Sequence, residues 1–295
     1  MAVIVLKGAD FSADNIGKII FKKSLSKITE TVLSRYGVTP DVDNPLHQAT
    51  DHFIRVLSAK NIIGENGKIK NLCMPFLSAN GDIAHAQINA LTGNSFFDTT
   101  ITESLNFVKG GLRPIVGQNV ANLNLKSFYP SFPSCGLHFA GYNITDEAKS
   151  SDARWIFGNF GKALGLQKHG TNGNPIFMIH AQGDKRLEGD PKYGMSSCFI
   201  VANAKQDVAT LFCNGQKTEK KNPTWYSESA WGNPPFGAYN GNFDGKYVQR
   251  GGMDTTTEAS WALLSLGDAL TDEESVIFNN EVGKLMVVVS NVFNV

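Results

Sequence analysis

The sequence predicts a mainly β protein: an antiparallel β-sandwich with a helix before it and a capping helix at the C-terminus. Three observations carry that prediction. Ten short apolar runs lie between Leu72 and Leu266, separated by turn signals and without a clear long helix among them. The chain is rich in glycine and phenylalanine, with 29 and 19 copies, which suits many tight turns and aromatic strand residues. The last stretch, Ala259 to Asn294, reads as a buried strand, a turn and one amphipathic helix.

The rest of the composition sets bounds. The 27 basic and 27 acidic side chains cancel, which argues against binding nucleic acid by neutralising its phosphates. A hydrophobic fraction of 42% is that of an ordinary globular chain. The apolar run Val3 to Leu6 stops at Lys7, too short for a signal-peptide core. No uninterrupted run reaches membrane length. These features predict a chain made in a cytoplasm, with neither membrane insertion nor a nucleic-acid partner.

Three regions follow in order. Residues 1–37 hold few apolar side chains and read as an attachment segment that docks on the main domain or on another chain. Residues 38–68 begin with a linker, VTPDVDNP, and continue into a helix that Asn44 caps and Pro45 opens, since a proline at the first helical position loses no hydrogen bond. Ala49, Phe53, Val56 and Leu57 form its predicted apolar face. His47 and His52 stand five apart on it, the wrong spacing for two metal ligands on one side.

From 69 to 295 the pattern becomes β. The predicted strands are Leu72–Leu77, Ala84–Leu91, Leu105–Lys109, Leu137–Tyr142, Trp155–Gly158, Pro175–His180, Cys198–Ala202, Ala209–Cys213, Phe236–Tyr239 and Trp261–Leu266. A two-sheet sandwich or jelly roll suits that number better than a closed barrel. The closing helix announces itself by a capping box, Thr271 with Glu274. Asp272, Glu273 and Glu274 set negative charge at the positive end of its dipole. Phe278, Val282, Leu285, Met286 and Val289 then repeat on one helical face.

Candidate chemistry is sparse. The four cysteines, Cys73, Cys135, Cys198 and Cys213, lack metal-ligand spacing and read as buried thiols. Ser, His and Asp are all present, but without a nucleophile-elbow motif, and His138 and His180 sit in apolar runs as core histidines do. No strand carries the paired carboxylates of a glycosidase, and no phosphate- or dinucleotide-binding loop is present. Asn240 to Gly245 imitates the start of a calcium loop, yet Gly251 stands where the bidentate glutamate belongs. The sequence therefore predicts no catalytic residue, no metal and no cofactor. Arg186, Lys185, Asp184, Glu188 and Asp190 read as a solvated charged loop.

One segment is suited to a ligand. Pro223 to Phe243 concentrates Trp225, Tyr226, Trp231, Phe236, Tyr239 and Phe243. Flat aromatic faces stack on sugar rings, while Trp and Tyr keep a polar edge for hydroxyls. The candidate ligand-binding residues are Trp225, Tyr226, Trp231 and Tyr239. The same residue types also serve subunit interfaces and the internal packing of a long loop.

A family resemblance adds to this. Cys198 to Pro223, with its apolar strand, its polar turn at Lys205-Gln206-Asp207 and its Asn-Gly turn, looks like a laminin-G or concanavalin-like strand pair. The stretch SLGDALTDEE resembles the last strand and helix start of that superfamily. Together with ADFS-x-x-x-IG from Ala9, the proline-led helix, NLCMPFLSANGDIAHAQINAL from Asn71 and the Glu281-Val282 pattern of the last helix, the chain resembles phage and prophage tail-fibre or virion appendage proteins. What the resemblance implies is a laminin-G-like jelly roll in a non-enzymatic virion structural protein, a tail fibre or a head decoration. Such a protein is assembled in a host cytoplasm and docks other virion proteins through its N-terminal part. It forms a homo-oligomer, with the trimer a common form in that group, and it presents the sandwich for receptor binding, including a host-surface glycan. The alternatives are a carbohydrate-binding lectin-like module and a glycoside hydrolase of concanavalin-like fold.

Overall fold

The computed structural model describes residues 24–97, 105–115, 122–123, 136–144, 154–158, 165–169, 175–178, 186–190, 198–223, 236–238 and 260–295. The fold is mainly antiparallel β, with helices towards both ends. The helices are α1 (Lys27–Arg35), α2 (Pro45–Ala59), the single turn α3 (Ile83–Ala86) and α4 (Asp272–Phe293). The strands are β1 (Ile69–Cys73), β2 (Leu105–Val108), β3 (Gly111–Pro114), β4 (Asn122–Leu123), β5 (Leu137–Asn143), β6 (Arg154–Gly158) and β7 (Gly165–His169). They continue with β8 (Ile176–Met178), β9 (Arg186–Glu188), β10 (Cys198–Ala204), β11 (Val208–Cys213), β12 (Gln216–Lys221), β13 (Phe236–Ala238) and β14 (Trp261–Gly267).

Eight strands form one sheet in the order β12-β11-β10-β5-β14-β3-β2, with β1 also paired to β14. Six form a second sheet, β4-β13-β6-β7-β8-β9. Every pairing is antiparallel. The Asn-Gly turn read from the sequence joins β11 to β12: Asn214 and Gly215 both have positive φ, 44° and 81°, between the paired residues Cys213 and Gln216. That is the backbone a two-residue hairpin of the primed type requires.

The large sheet is the middle of three layers. One face, with Ala140, Phe199, Val201, Phe212 and Leu263, packs on the helices. The other, with Phe139, Ile200, Ala202, Leu211, Leu264 and Leu266, packs towards Phe177 and Leu187 of the second sheet. Burial on both faces is why CFIVANA and WALLSLG run almost continuously apolar instead of alternating. A register shift between Trp261 and Leu263 lets Ala262 and Leu263 both face the helices, after which the alternation resumes.

The helix starts follow their caps. Thr271 Oγ1 accepts from the Glu274 N–H at 3.1 Å and Glu274 Oε2 accepts from the Thr271 N–H at 2.7 Å, closing the capping box. All five residues of the expected α4 face are buried. Asn44 Oδ1 accepts from the N–H groups of Leu46 and His47 at 2.9 and 3.4 Å. The buried side of α2 is Leu46, Thr50, Phe53, Ile54 and Leu57; Ala49 and Val56 lie half-buried on its flank. By length and composition α4 also meets the measure of a membrane span, with a mean hydropathy of 1.2 over 18 residues. Its inward side is packed on the sheet, as in any core helix.

The structure departs from the sequence expectation in several places. Ala84–Leu91 is not a strand. Asp82 Oδ1 accepts from the Ala84 N–H at 2.8 Å and starts the helical turn α3, after which Ile88 and Asn89 make only isolated bridges. The run Leu72–Leu77 divides: β1 ends at Cys73 and a 3-10 turn begins at Pro75, whose missing N–H cannot extend a ladder. The charged stretch around Arg186 is not wholly a solvated loop. It contains β9, with Leu187 buried against the core. Strand β12, QKTEKK, has no apolar residue to betray it and is held as an edge by its hairpin to β11.

The described part of the attachment segment, residues 24–37, docks on the domain. Val32, Leu33 and Tyr36 are buried with α2 and the loop after β1. The Tyr36 hydroxyl donates to the Ile88 carbonyl at 2.7 Å and accepts from the Met74 N–H at 2.8 Å. Burial holds this phenol protonated well above its ordinary range.

At the end of β14 the backbones close up tightly. A Cβ on Gly267 would lie 2.0 Å from the Lys68 carbonyl oxygen and 2.8 Å from both Ile69 Cα and His138 Cε1. Gly267→Ala is therefore expected to force β1 away from β14 and to cost about 3 kcal/mol, read as a lowered urea midpoint. An unchanged midpoint would contradict this packing.

Candidate functional site

The four aromatic residues proposed as a ligand surface, Trp225, Tyr226, Trp231 and Tyr239, lie outside the described residues, as do His180 and the calcium-like stretch Asn240–Gly245. Strand β12 belongs to the large sheet and β13 to the small one. In sequence, Trp225, Tyr226 and Trp231 lie between the end of β12 and the start of β13, and Tyr239 follows directly after β13.

Among the described side chains, the densest polar cluster runs across four neighbouring strands beneath the start of α4. Thr210 on β11, Asn203 on β10, His138 on β5 and Ser265 on β14 all face the helices, and all are at least 95% buried. Asn203 Nδ2 donates to Thr210 Oγ1 at 3.2 Å and to Ser275 Oγ on α4 at 3.1 Å. Its Oδ1 accepts from the Leu270 N–H at 2.9 Å. This one amide thus joins two strands, the loop before α4 and the first turn of that helix.

His138 does the same on the other side. Its Nδ1 lies 2.8 Å from the Asp268 carbonyl oxygen and its Nε2 2.8 Å from Ser265 Oγ. A carbonyl only accepts, so Nδ1 carries the proton and Nε2 accepts from the serine hydroxyl. The distances are those of a nucleophile, a base and an orienting group. Three features set the pair apart from a working one. Ser265 and His138 are both fully buried. The orienting partner is a peptide carbonyl, without the charge that stabilises an imidazolium. Burial also pushes the imidazole down to about 4, against smaller opposing contributions from the Asp268 carbonyl, the Glu274 charge and Gly267, which makes it a weak base. His138 is a satisfied core histidine, as its apolar run predicts.

The charged groups around this cluster fix the helix start. Lys68 Nζ meets Glu274 Oε2 at 2.6 Å. Burial alone would raise the Glu274 carboxyl, but Lys68 and the Thr271 N–H outweigh it and hold the acid below its ordinary value. Lys217 on β12 reaches Asp272 at 2.6 Å and Glu219 at 2.5 Å.

Two further polar groups lie apart from the cluster. His85 Nδ1 and Asp82 Oδ2 are 2.9 Å apart on the exposed turn α3. That contact first, and the Ala84 N–H second, lower the Asp82 carboxyl. On the other side, Glu281 of α4 is buried against α2. Lys284 Nζ lies 2.6 Å from its Oε1. His52 Nε2 lies 3.0 Å from its Oε2, within ion-pair reach though not aligned as a hydrogen bond. His47 turns instead to the Asp41 backbone, accepting from its N–H at 3.1 Å. Among the described residues, no three His, Cys, Asp or Glu side chains converge as a metal site would need. Cys73 and Cys213 are free and buried, and burial raises the Cys73 thiol far above its ordinary value, so it stays an unreactive thiol.

Sequence reasoning passed over Asn203, Ser265 and Ser275. The available signal was a polar residue interrupting an apolar run, as in CFIVANA and WALLSLG. What such a residue meets depends on strands more than a hundred residues apart, as with His138 and Ser265.

No family model matches the chain and no curated protein matches it in sequence. Solved structures share part of the architecture. A Trypanosoma rangeli sialidase mutant displaying trans-sialidase activity aligns with a TM-score of 0.49 and 13% identity, over 81% of this chain and 39% of its own. Domain 4 of AbnA, a GH43 extracellular arabinanase from Geobacillus stearothermophilus in complex with arabinotriose, aligns at 0.46 and 12%, over 72% and 98%. A botulinum neurotoxin type C structure, whose cell entry depends on interaction with two ganglioside molecules, aligns at 0.37 and 10%, over 55% and 39%. The chain thus spans about two fifths of the length of the sialidase it matches. At these values the chain is similar to them in a general β architecture and in nothing more specific.

Proposed function

We propose that this chain is a non-enzymatic β-sandwich module of a virion appendage that contacts saccharide through the aromatic connection between β12 and β13. The observation that supports the reading is the concentration of aromatic residues in the sequence between two strands that belong to different sheets. Three of the four candidate residues stand in sequence between β12 of the large sheet and β13 of the small one, and the fourth directly follows β13. Loops carried by a rigid sandwich are where such folds put their contacts. Stacking aromatic faces on sugar rings needs no catalytic group and no metal. The virion setting rests on the sequence resemblance to tail-fibre and appendage proteins. In it, the part of the attachment segment ahead of residue 24 docks other virion proteins, since residues 24–37 pack into the module's own core, and the module assembles as a homo-oligomer.

The test is a glycan array with the purified full chain, beside Trp225→Ala and Trp231→Ala. Expected is binding to a defined set of glycans that each substitution reduces at least tenfold, with an unchanged melting temperature. Binding that survives both substitutions would move the contact away from this connection. Absence of binding by the unaltered chain would end the saccharide reading. Turnover of a bound glycan would favour a hydrolase of the same architecture.

A further inference from the structure

We draw no further inference here: the strongest candidate, the outward face of α4 with exposed Val276 and Val287 on either side of Gly283, is an apolar stripe without a partner among the described residues, and nothing in the structure shows what covers it.

Discussion

Replacing Phe278 by alanine is expected to destabilise the protein by about 4 kcal/mol. The ring is fully buried on the inward side of α4. It meets Phe199 of β10 edge to face, with centroids 4.9 Å apart, and Phe53 of α2 at 6.3 Å. One side chain therefore joins two helices and the middle sheet. Truncation loses the transfer free energy of the ring and leaves a cavity that the paired elements cannot all close upon at once. The aromatic contacts contribute about 1 kcal/mol beyond area. Chemical denaturation checks this, with the slope of the transition unchanged. Phe278→Leu keeps most of the volume and should lose much less. Phe199→Ala combined with Phe278→Ala should cost less than the sum of the two, because both remove the same contact. A loss below about 1 kcal/mol for Phe278→Ala would mean that α4 does not pack on the sheet in this way.

The second large effect is on acid stability. His138 is fully buried, and desolvation first of all lowers its pKa from 6.5 to about 4 in the folded chain. In the unfolded chain the imidazole takes up its proton at the ordinary value. Above pH 6.5 it is neutral in both states and costs nothing. As pH falls from 6.5 towards 4, the unfolded state binds a proton that the folded state refuses, so stability declines. The loss is complete below about pH 4 and amounts to about 3 kcal/mol. Glu274, held below its ordinary value mainly by Lys68 against the effect of burial, adds a loss that begins lower. Its stabilisation is present above the ordinary carboxylate range and disappears as pH falls through the folded value. The measurement is the urea midpoint from pH 7.5 to 4. His138→Asn is expected to be less stable at pH 7.5, since one of its two hydrogen bonds is lost, yet flatter between pH 6.5 and 4. The same steep decline in His138→Asn and in the unaltered chain would refute the assignment to this imidazole.

Local chemistry made parts of the fold readable in advance. Asn44 with Pro45, Thr271 with Glu274, and Asn214 with Gly215 each specify a helix start or a turn through side-chain oxygens and backbone angles within a few residues. The buried face of α4 followed from spacing alone, because a helix repeats its contacts locally. Strands such as β5, β10, β11 and β14 were readable for another reason. A sheet buried on both faces writes itself as continuous apolar runs.

The segments that departed from expectation have separate causes. The run AHAQINA alternates like a strand, but the Asp82 cap lies just before it and the α3 turn forms. The β12 strand carries Lys and Glu because its outer edge faces water, so only its hairpin partner makes it a strand. Leu187 is a single apolar residue in a charged stretch, and its burial depends on the second sheet passing beside β11 and β12.

By itself, then, the sequence determined the antiparallel β class, the helix at each end, the caps, the main hairpin and the inward side of α4. The caps, the hairpin and the helix face rest on interactions between residues close in the chain, and the β class on apolar runs that burial of the strands imprints on the sequence. Only the tertiary structure decided that the large sheet is a middle layer. It alone decided that Tyr36 and the helix before α2 belong to the same core, and that His138, Ser265 and Asn203 form one sealed polar row. Those outcomes depend on contacts between segments far apart in the chain, about 130 residues for His138 with Asp268 and about 225 for Phe53 with Phe278, where no local propensity or spacing acts and burial selects the partners.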